Sequence, residues 1–171
     1  MAWPFIVANA SVPLLGVVDT AVIGNTGSVI DLGAIALGAL IFSFVYWSFG
    51  FLRMGTTGFV AQAKGAGDQE EVRAIFGRAG LIALAVGISL LLLQLPIGAI
   101  SFSLLSGEEA VESVASTYFF TRIWGAPATL IIFVIMGIWI GLGESRELLK
   151  LQLFLNGSNM VLDIIAAGVL G

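Results

Sequence analysis

Long apolar stretches separated by short polar segments set the pattern along this chain. A helix needs about 20 mostly apolar residues to cross a bilayer, and each apolar stretch reaches that length. The pattern therefore predicts an all-α polytopic membrane protein with five transmembrane helices. The predicted spans cover approximately residues 3–24, 32–64, 79–105, 113–143 and 149–171.

Four polar segments predict the connections between the spans. They read "NTGSVIDLG", "GAGDQEEVRAIFGR", "SGEEAVES" and "GESRELLK", and we expect their charged runs to be solvated loops. The second span is expected to continue as a helix through "MGTTGFVAQAK", beyond the bilayer. Lys and Arg residues flank the second and fourth connections, whereas the first and third contain neither. By the positive-inside rule, the second and fourth connections and the N-terminus are cytoplasmic.

Composition narrows the chemistry that such a protein can perform. Of the 171 residues, 58% are hydrophobic and 11% are charged, whereas soluble domains contain about a quarter charged residues. The sequence contains no Cys and no His, which excludes thiolate metal sites and histidine bases. The net charge is −4 with no basic run, so we expect no nucleic-acid partner. The remaining oxygen ligands suit protons and hard cations, and we expect neither an enzyme nor a cofactor.

Two acidic residues lie inside predicted spans, where an Asp costs about 2.5–3.5 kcal/mol on insertion scales. Asp19 follows Trp3 by 16 residues, and Asp163 follows Leu149 by 14 residues. At a rise of about 1.5 Å per residue, they lie roughly 24 Å and 21 Å from the cytoplasmic side. Two separate spans thus bring carboxylates to nearly the same level, in the outer half of the membrane. We expect them to form a site for a proton or a cation.

The fifth span carries a polar stripe at the spacing i, i+4, i+7 and i+11, formed by Gln152, Asn156, Asn159 and Asp163. This spacing places the four residues on one face of a helix, and that face must meet protein or water rather than lipid. Amides in membrane helices often only bond neighbouring helices, and for Gln152 alone this structural role is favoured. For Asp163 with Asn159 a functional site is favoured, because a structural contact needs no ionisable group.

Other residues in the spans suggest further roles. Arg122, in the fourth span, is a candidate charge partner that could neutralise one of the acids. Pro13 and Pro127 each remove a helical hydrogen bond, which indicates either a static kink or, near Asp19, a hinge. Gly137 and Gly141 form a Gly-x-x-x-Gly pair, which we interpret as a site of close helix packing.

Three stretches of the sequence resemble the multidrug and toxic compound extrusion (MATE) family, in particular its bacterial DNA-damage-inducible branch. They are "SVPLLGVVDTAVIGNTGS", "LGAIALGALIFSFVYWSFGFLRMGTTGFVAQAKGAGD" and "LFLNGSNMVLDII". The resemblance covers essentially the whole chain. It implies a fold of twelve spans in two six-helix lobes, of which this chain matches the first five. We therefore expect residues 1–171 to be part of an N-terminal transmembrane lobe, from a longer protein or a truncated gene, without the C-terminal lobe.

The resemblance also implies a function. Members of this family export organic cations and amphipathic drugs from the cell in exchange for protons or sodium ions. Their N-terminal cation site maps to Asp19, Asn159 and Asp163, which are candidate ligands of a Na⁺ ion. Asn156 lies beside this site. Pro13 would permit a bend of the first helix when the site is protonated. Membrane lipid is the expected surrounding, the bacterial inner membrane is the expected location, and the missing lobe would be needed for full function.

Other functions stay open at this point. A lipid or lipid-linked sugar flippase of the same superfamily would call for a more basic cavity, for which only Arg53 and Arg122 are available here. A truncated, non-transporting membrane fragment would only pack with partners. An intramembrane aspartyl protease would also use paired Asp residues, but the sequences "VVDTA" and "VLDII" do not support it. The sequence does not decide between proton and sodium coupling.

Overall fold

The structure is a computed structural model that describes residues 29–105 and 108–170, the side chains of residues 105, 162–164 and 166–170 excepted. Within these residues the chain forms helices and no strand, which confirms the all-α prediction. The first predicted span, residues 3–24, lies outside the described residues. The helices are α1 (Val29–Ser48), α2 (Gly50–Gly65), α3 (Gln69–Leu92), α4 (Gln94–Leu105), α5 (Glu109–Arg122), a 3₁₀ turn (Ile123–Gly125), α6 (Ala126–Gly141) and α7 (Ser145–Leu170).

Three segments of the described chain are long and apolar enough to cross a membrane. They are Val29–Gly65, Gln69–Leu92 and Glu109–Gly141. The first contains 37 residues, which is roughly 55 Å of helix, whereas the hydrocarbon core is only about 30 Å thick. This segment, in which α1 and α2 meet at Phe49, is thus longer than one crossing requires, and its continuation beyond the bilayer stays a prediction. The chain is a multi-pass membrane protein.

The acidic connections are more helical than expected. We predicted loops at "DQEEVR", "SGEEAVES" and "GESRELLK", but α3 begins at Gln69, α5 at Glu109 and α7 at Ser145. Asp68 caps α3, because its side chain accepts a hydrogen bond of 2.8 Å from the backbone N–H of Glu71. Carboxylates in a first turn also interact favourably with the positive end of the helix dipole. The charges that suggested loops therefore begin helices, so those loop predictions were wrong.

The predicted third span is interrupted. Residues 79–105 were expected to form one helix, but α3 ends at Leu92 and α4 begins at Gln94. Pro96 has no N–H to offer the Leu92 carbonyl four residues earlier, so the regular ladder cannot pass this point. The backbone N–H of Leu93 still bonds the Ser89 carbonyl at 2.9 Å, which completes the last turn of α3.

Residues 33–143 form one compact unit, and α7 belongs to a second. In the first unit, α6 packs against both α2 and α3. A Cβ atom added to Gly137 would lie 2.7 Å from the Arg53 carbonyl oxygen, and one added to Gly141 would lie 2.7 Å from that of Thr57. Thr57 Oγ1 also donates to the Gly137 carbonyl at 3.1 Å. These approaches confirm that the Gly-x-x-x-Gly pair is a packing site.

A proline shapes the other end of α6. Pro127 lies in the first turn of α6. Because Pro127 has no N–H, it cannot donate the helical hydrogen bond to the Ile123 carbonyl, four residues earlier. That carbonyl accepts from the backbone N–H of Ala126 instead, which forms the 3₁₀ turn between α5 and α6. Pro127 also meets α3, since a Cβ atom on Gly87 would lie 2.5 Å from the Pro127 Cα atom. The two helices therefore approach closely where the ladder is interrupted.

We expect Gly137→Ala to lower the free energy of unfolding by about 1–3 kcal/mol, because its new methyl group has no room against α2. Gly58→Ala is the matched control, because a Cβ atom there meets nothing within 4 Å. A helix with Ala at an exposed interior position is more stable than one with Gly by about 0.5–1 kcal/mol, so the control should not lower the free energy of unfolding. Unfolding the purified chain by titration from mild detergent into sodium dodecyl sulfate measures the free energy of unfolding of both variants. Equal effects of the two substitutions would contradict the close packing of α6 on α2.

Candidate functional site

The helix that carries the predicted polar stripe is continuous. α7 runs from Ser145 to Leu170 without a break, so residues spaced by three or four keep to one face. It follows Gly143, whose φ of 70° is the left-handed conformation that glycine adopts readily. Lys150 Nζ and Glu147 Oε1 pair at 2.6 Å near its start. Apart from Asp163, the charged residues of α7 thus lie in its first turns, before the stripe begins.

The face of α7 opposite the stripe is apolar and exposed. Three apolar residues, Phe154, Val161 and Ile165, lie on this face. Each follows a residue of the stripe by two positions, which is about 200° around the helix. Exposed large apolar side chains are expected where a helix meets lipid. This pattern supports the prediction that the polar stripe faces away from lipid. The exposed residues and their exposed fractions are Phe154 (71%), Val161 (53%) and Ile165 (53%).

Burial decreases along the stripe. The Gln152 side chain is only 7% exposed, Asn156 is half-buried, and Asn159 is exposed. The Oε1 atom of Gln152 is buried and has no hydrogen-bond partner within the described part of the chain. The stripe is therefore shielded from solvent at Gln152 and exposed to solvent at Asn159.

The two acids lie outside the described side chains. The backbone of Asp163 belongs to α7, but its side chain is not described, and Asp19 and Pro13 precede residue 29. The pairing of Asp19 with Asp163, the hinge at Pro13 and a Na⁺ ion at Asp19, Asn159 and Asp163 stay predictions. Among the described side chains, no three Asp or Glu residues group closely enough to hold a metal ion.

Arg122 is held by aromatic side chains. Its Nη1 atom donates to the Tyr118 hydroxyl, and its guanidinium carbon lies 5.4 Å from the centre of the Tyr118 ring. The same carbon lies 5.3 Å from the centre of the Phe42 ring on α1. Cation–π contacts of this kind stabilise a positive charge by about 0.5–2 kcal/mol. Arg122 forms no ion pair with the acids whose side chains are described, and its role as a charge partner stays a prediction.

The aromatic surroundings of Arg122 were not anticipated from the sequence. Tyr118 precedes Arg122 by four residues, and this spacing alone places the two side chains on one face of α5. Phe42 comes from a distant helix, and a Cβ atom on Gly38, one turn before it, would lie 2.4 Å from the Tyr118 ring. The glycine therefore provides the room in which α5 brings Arg122 over Phe42, and no local pattern marks that contact.

A comparison with known families identifies the chain. The MatE family model matches residues 4–165. The chain belongs to the MatE family. The resemblance found in the sequence is therefore confirmed, and members of this family are transporters rather than enzymes.

Two curated relatives extend this comparison. The chain is 39% identical over 164 residues to DNA damage-inducible protein F of Escherichia coli, which is 96% of the chain and 36% of that protein. It is 29% identical over 154 residues to the probable multidrug resistance protein NorM of Acinetobacter baylyi, which is 90% of the chain and 34% of that protein. The chain thus spans about a third of the length of these relatives. No solved structure matches it.

We expect the two faces of α7 to differ in their surroundings in a bilayer. Because the chain contains no Cys, spin labels can be attached to single substitutions without removing native thiols. A label on Phe154→Cys or Val161→Cys should collide more often with oxygen, which dissolves in lipid. A label on Asn156→Cys should favour a water-soluble nickel reagent. Power-saturation spectroscopy in liposomes measures both collision rates, and similar values on the two faces would contradict the assignment.

Proposed function

We propose that this MatE-family chain supplies the ion site of a secondary transporter that exports multiple drugs by cation antiport. The observation that carries the proposal is the polar stripe of α7, which lies opposite an exposed apolar face and includes the position of Asp163. The Acinetobacter baylyi relative, which is named as a probable multidrug resistance protein, supports the substrate class. The exported molecules are organic cations or amphipathic drugs.

The site consists of Asp19 and Asp163, with Asn159 and Asn156 as neutral oxygen ligands. An ionisable residue in a span is costly, so its presence indicates a pathway for ions or protons. Asn159 and Asp163 are one helical turn apart, so their oxygens can converge on one ion. Carboxylate and amide oxygens bind both a proton and Na⁺, and either can be the coupling ion.

The coupling between ion binding and drug export follows from the charge of the site. A proton or Na⁺ that enters from outside reduces the negative charge of the site, which weakens its attraction for a cationic drug. Linkage requires the ion and the drug each to weaken the binding of the other by the same factor. In this proposal Pro13 allows the first helix to bend as the charge of Asp19 changes, and the drug leaves on the outer side.

Arg122 is the proposed charge partner of the site when the ion is absent. The aromatic rings of Tyr118 and Phe42 hold its guanidinium while leaving several of its five N–H donors for a carboxylate. A paired Arg would compensate one buried acid, whose charge otherwise costs several kcal/mol. The second acid then stays available to the ion.

The setting of this activity is the bacterial inner membrane, with a cytoplasmic N-terminus. The proposal rests on the Lys and Arg residues at the second and fourth connections. A second lobe is needed for the complete drug cavity, since the chain matches only about a third of each curated relative.

The function is tested in a chimera in which the chain replaces the matching 164-residue segment of the Escherichia coli relative. In cells that lack their own drug exporters, we expect the chimera to raise resistance to amphipathic cations and to lower their accumulation. Asp19→Asn and Asp163→Asn should each reduce ion-driven efflux by about tenfold or more, the usual size of a coupling between sites.

The matched control for these variants is Glu70→Gln, which removes an exposed carboxylate in the first turn of α3. It should leave efflux unchanged. Efflux that survives both Asp substitutions, at equal amounts of protein in the membrane, would rule out the proposed ion site. A chimera that reaches the membrane but never exports drugs would favour a non-transporting fragment.

A further inference from the structure

Gln152 carries a buried polar atom that the proposed ion site does not use. Its side chain is 7% exposed, and its Oε1 atom has no hydrogen-bond partner among residues 29–105 and 108–170. A buried acceptor left without a donor costs about 1–3 kcal/mol. Buried polar atoms in native proteins are nearly always paired, so a donor for this oxygen is expected during the working cycle.

The side chain next to Gln152 towards the nearer end of α7 is buried as well. Leu148 lies one turn before Gln152 on the same face, and its side chain is only 1% exposed. Asn156 lies one turn after Gln152 and is half-buried, and Asn159 beyond it is exposed. The open direction therefore leads along the stripe towards Asp163, and a donor would arrive from the ion site.

We propose that Gln152 forms the inner end of the ion path, where its Oε1 atom binds the coupling ion as it passes from the Asp163 site towards the cytoplasm. This inference rests on the proposed function, since it assumes an ion at Asp163. The ion offers this oxygen either a positive charge, as Na⁺, or a hydrogen-bond donor, as a water molecule that carries the proton. Both satisfy the same unpaired acceptor.

The position and chemistry of Gln152 fit such a step. It precedes Asp163 by 11 residues, or roughly 16 Å, on the side of Arg146 and Lys150. A neutral amide oxygen is a ligand for a hard cation but carries no charge that would retain it. An amide that only joined two helices would instead be paired in the resting protein.

The test uses the purified chain in lipid nanodiscs, with Na⁺ alone as one probe and pH in Na⁺-free buffer as the other. Gln152→Met keeps the length of the side chain and removes the oxygen. We expect it to weaken Na⁺ binding in calorimetry by about tenfold, which is the usual effect of losing a ligand-supporting group. If the proton is the coupling ion, the midpoint of the pH-dependent thermal unfolding should shift by about one unit instead.

Two further variants make the result specific. Gln152→Glu keeps an oxygen and adds a charge, so it should strengthen Na⁺ binding by about tenfold or shift the pH midpoint in the direction opposite to that of Gln152→Met. Gln62→Met, at an exposed position on α2, is the matched control and should change neither quantity. If Gln152→Met does not fold, Gln152→Glu alone decides, because unchanged ion binding in that variant overturns the inference.

The outcomes separate this inference from the proposed function. If Asp163→Asn abolishes the ion dependence but both Gln152 variants leave it intact, only the role of Gln152 is overturned. A Gln152→Met variant that is less stable with and without ions, at unchanged affinity, would show a packing role and overturn it as well. If the unmodified chain shows no dependence on Na⁺ or pH, or Asp163→Asn changes nothing, the ion site and this inference fall together.

Discussion

Hydrocarbon offers no hydrogen-bond partner, so each polar group within a membrane span must find one inside the protein. The two faces of α7 follow from this constraint. Phe154, Val161 and Ile165 are exposed on one side, and the amides of the stripe occupy the other. A helix that divides its polarity in this way is expected to turn its apolar face towards lipid.

The unit formed by residues 33–143 has a different basis for its stability. Its central helix α6 is apolar almost throughout, so the hydrophobic effect does not select one packing of this helix within lipid, and close contact between backbones does. Gly137 and Gly141 bring α6 against α2, and Gly87 brings α3 against Pro127. The Lys64 ammonium also donates to the Leu142 carbonyl beyond the end of α6. These contacts make α6 the central helix of the unit.

Two polar side chains of this protein, Arg122 and Gln152, differ in how their polar groups are paired. Arg122 is stabilised by Tyr118 and Phe42, without a partner among the described carboxylates, so a guanidinium is accommodated by aromatic rings and one hydroxyl. Gln152 is the contrasting case, since it is buried with an oxygen that has no donor in the described chain. The two side chains therefore differ in both burial and pairing, since Arg122 is exposed and has a hydrogen-bond partner.

The sequence by itself determined the all-α membrane fold, the family and the stripe on α7, because hydropathy and helical periodicity are local properties of the chain. It also indicated the Gly137–Gly141 packing site, since small residues four apart form a recognisable pattern. It misplaced the starts of α3, α5 and α7, because acidic residues favour a helix N-terminus as well as a loop. Only the tertiary structure decided that Gly38 makes room for the Tyr118 ring and that Arg122 lies over Phe42. It also decided that the Oε1 atom of Gln152 is buried without a partner in the part of the chain that the structure describes. Those facts depend on contacts or burial contributed by residues distant along the chain, which no local pattern records.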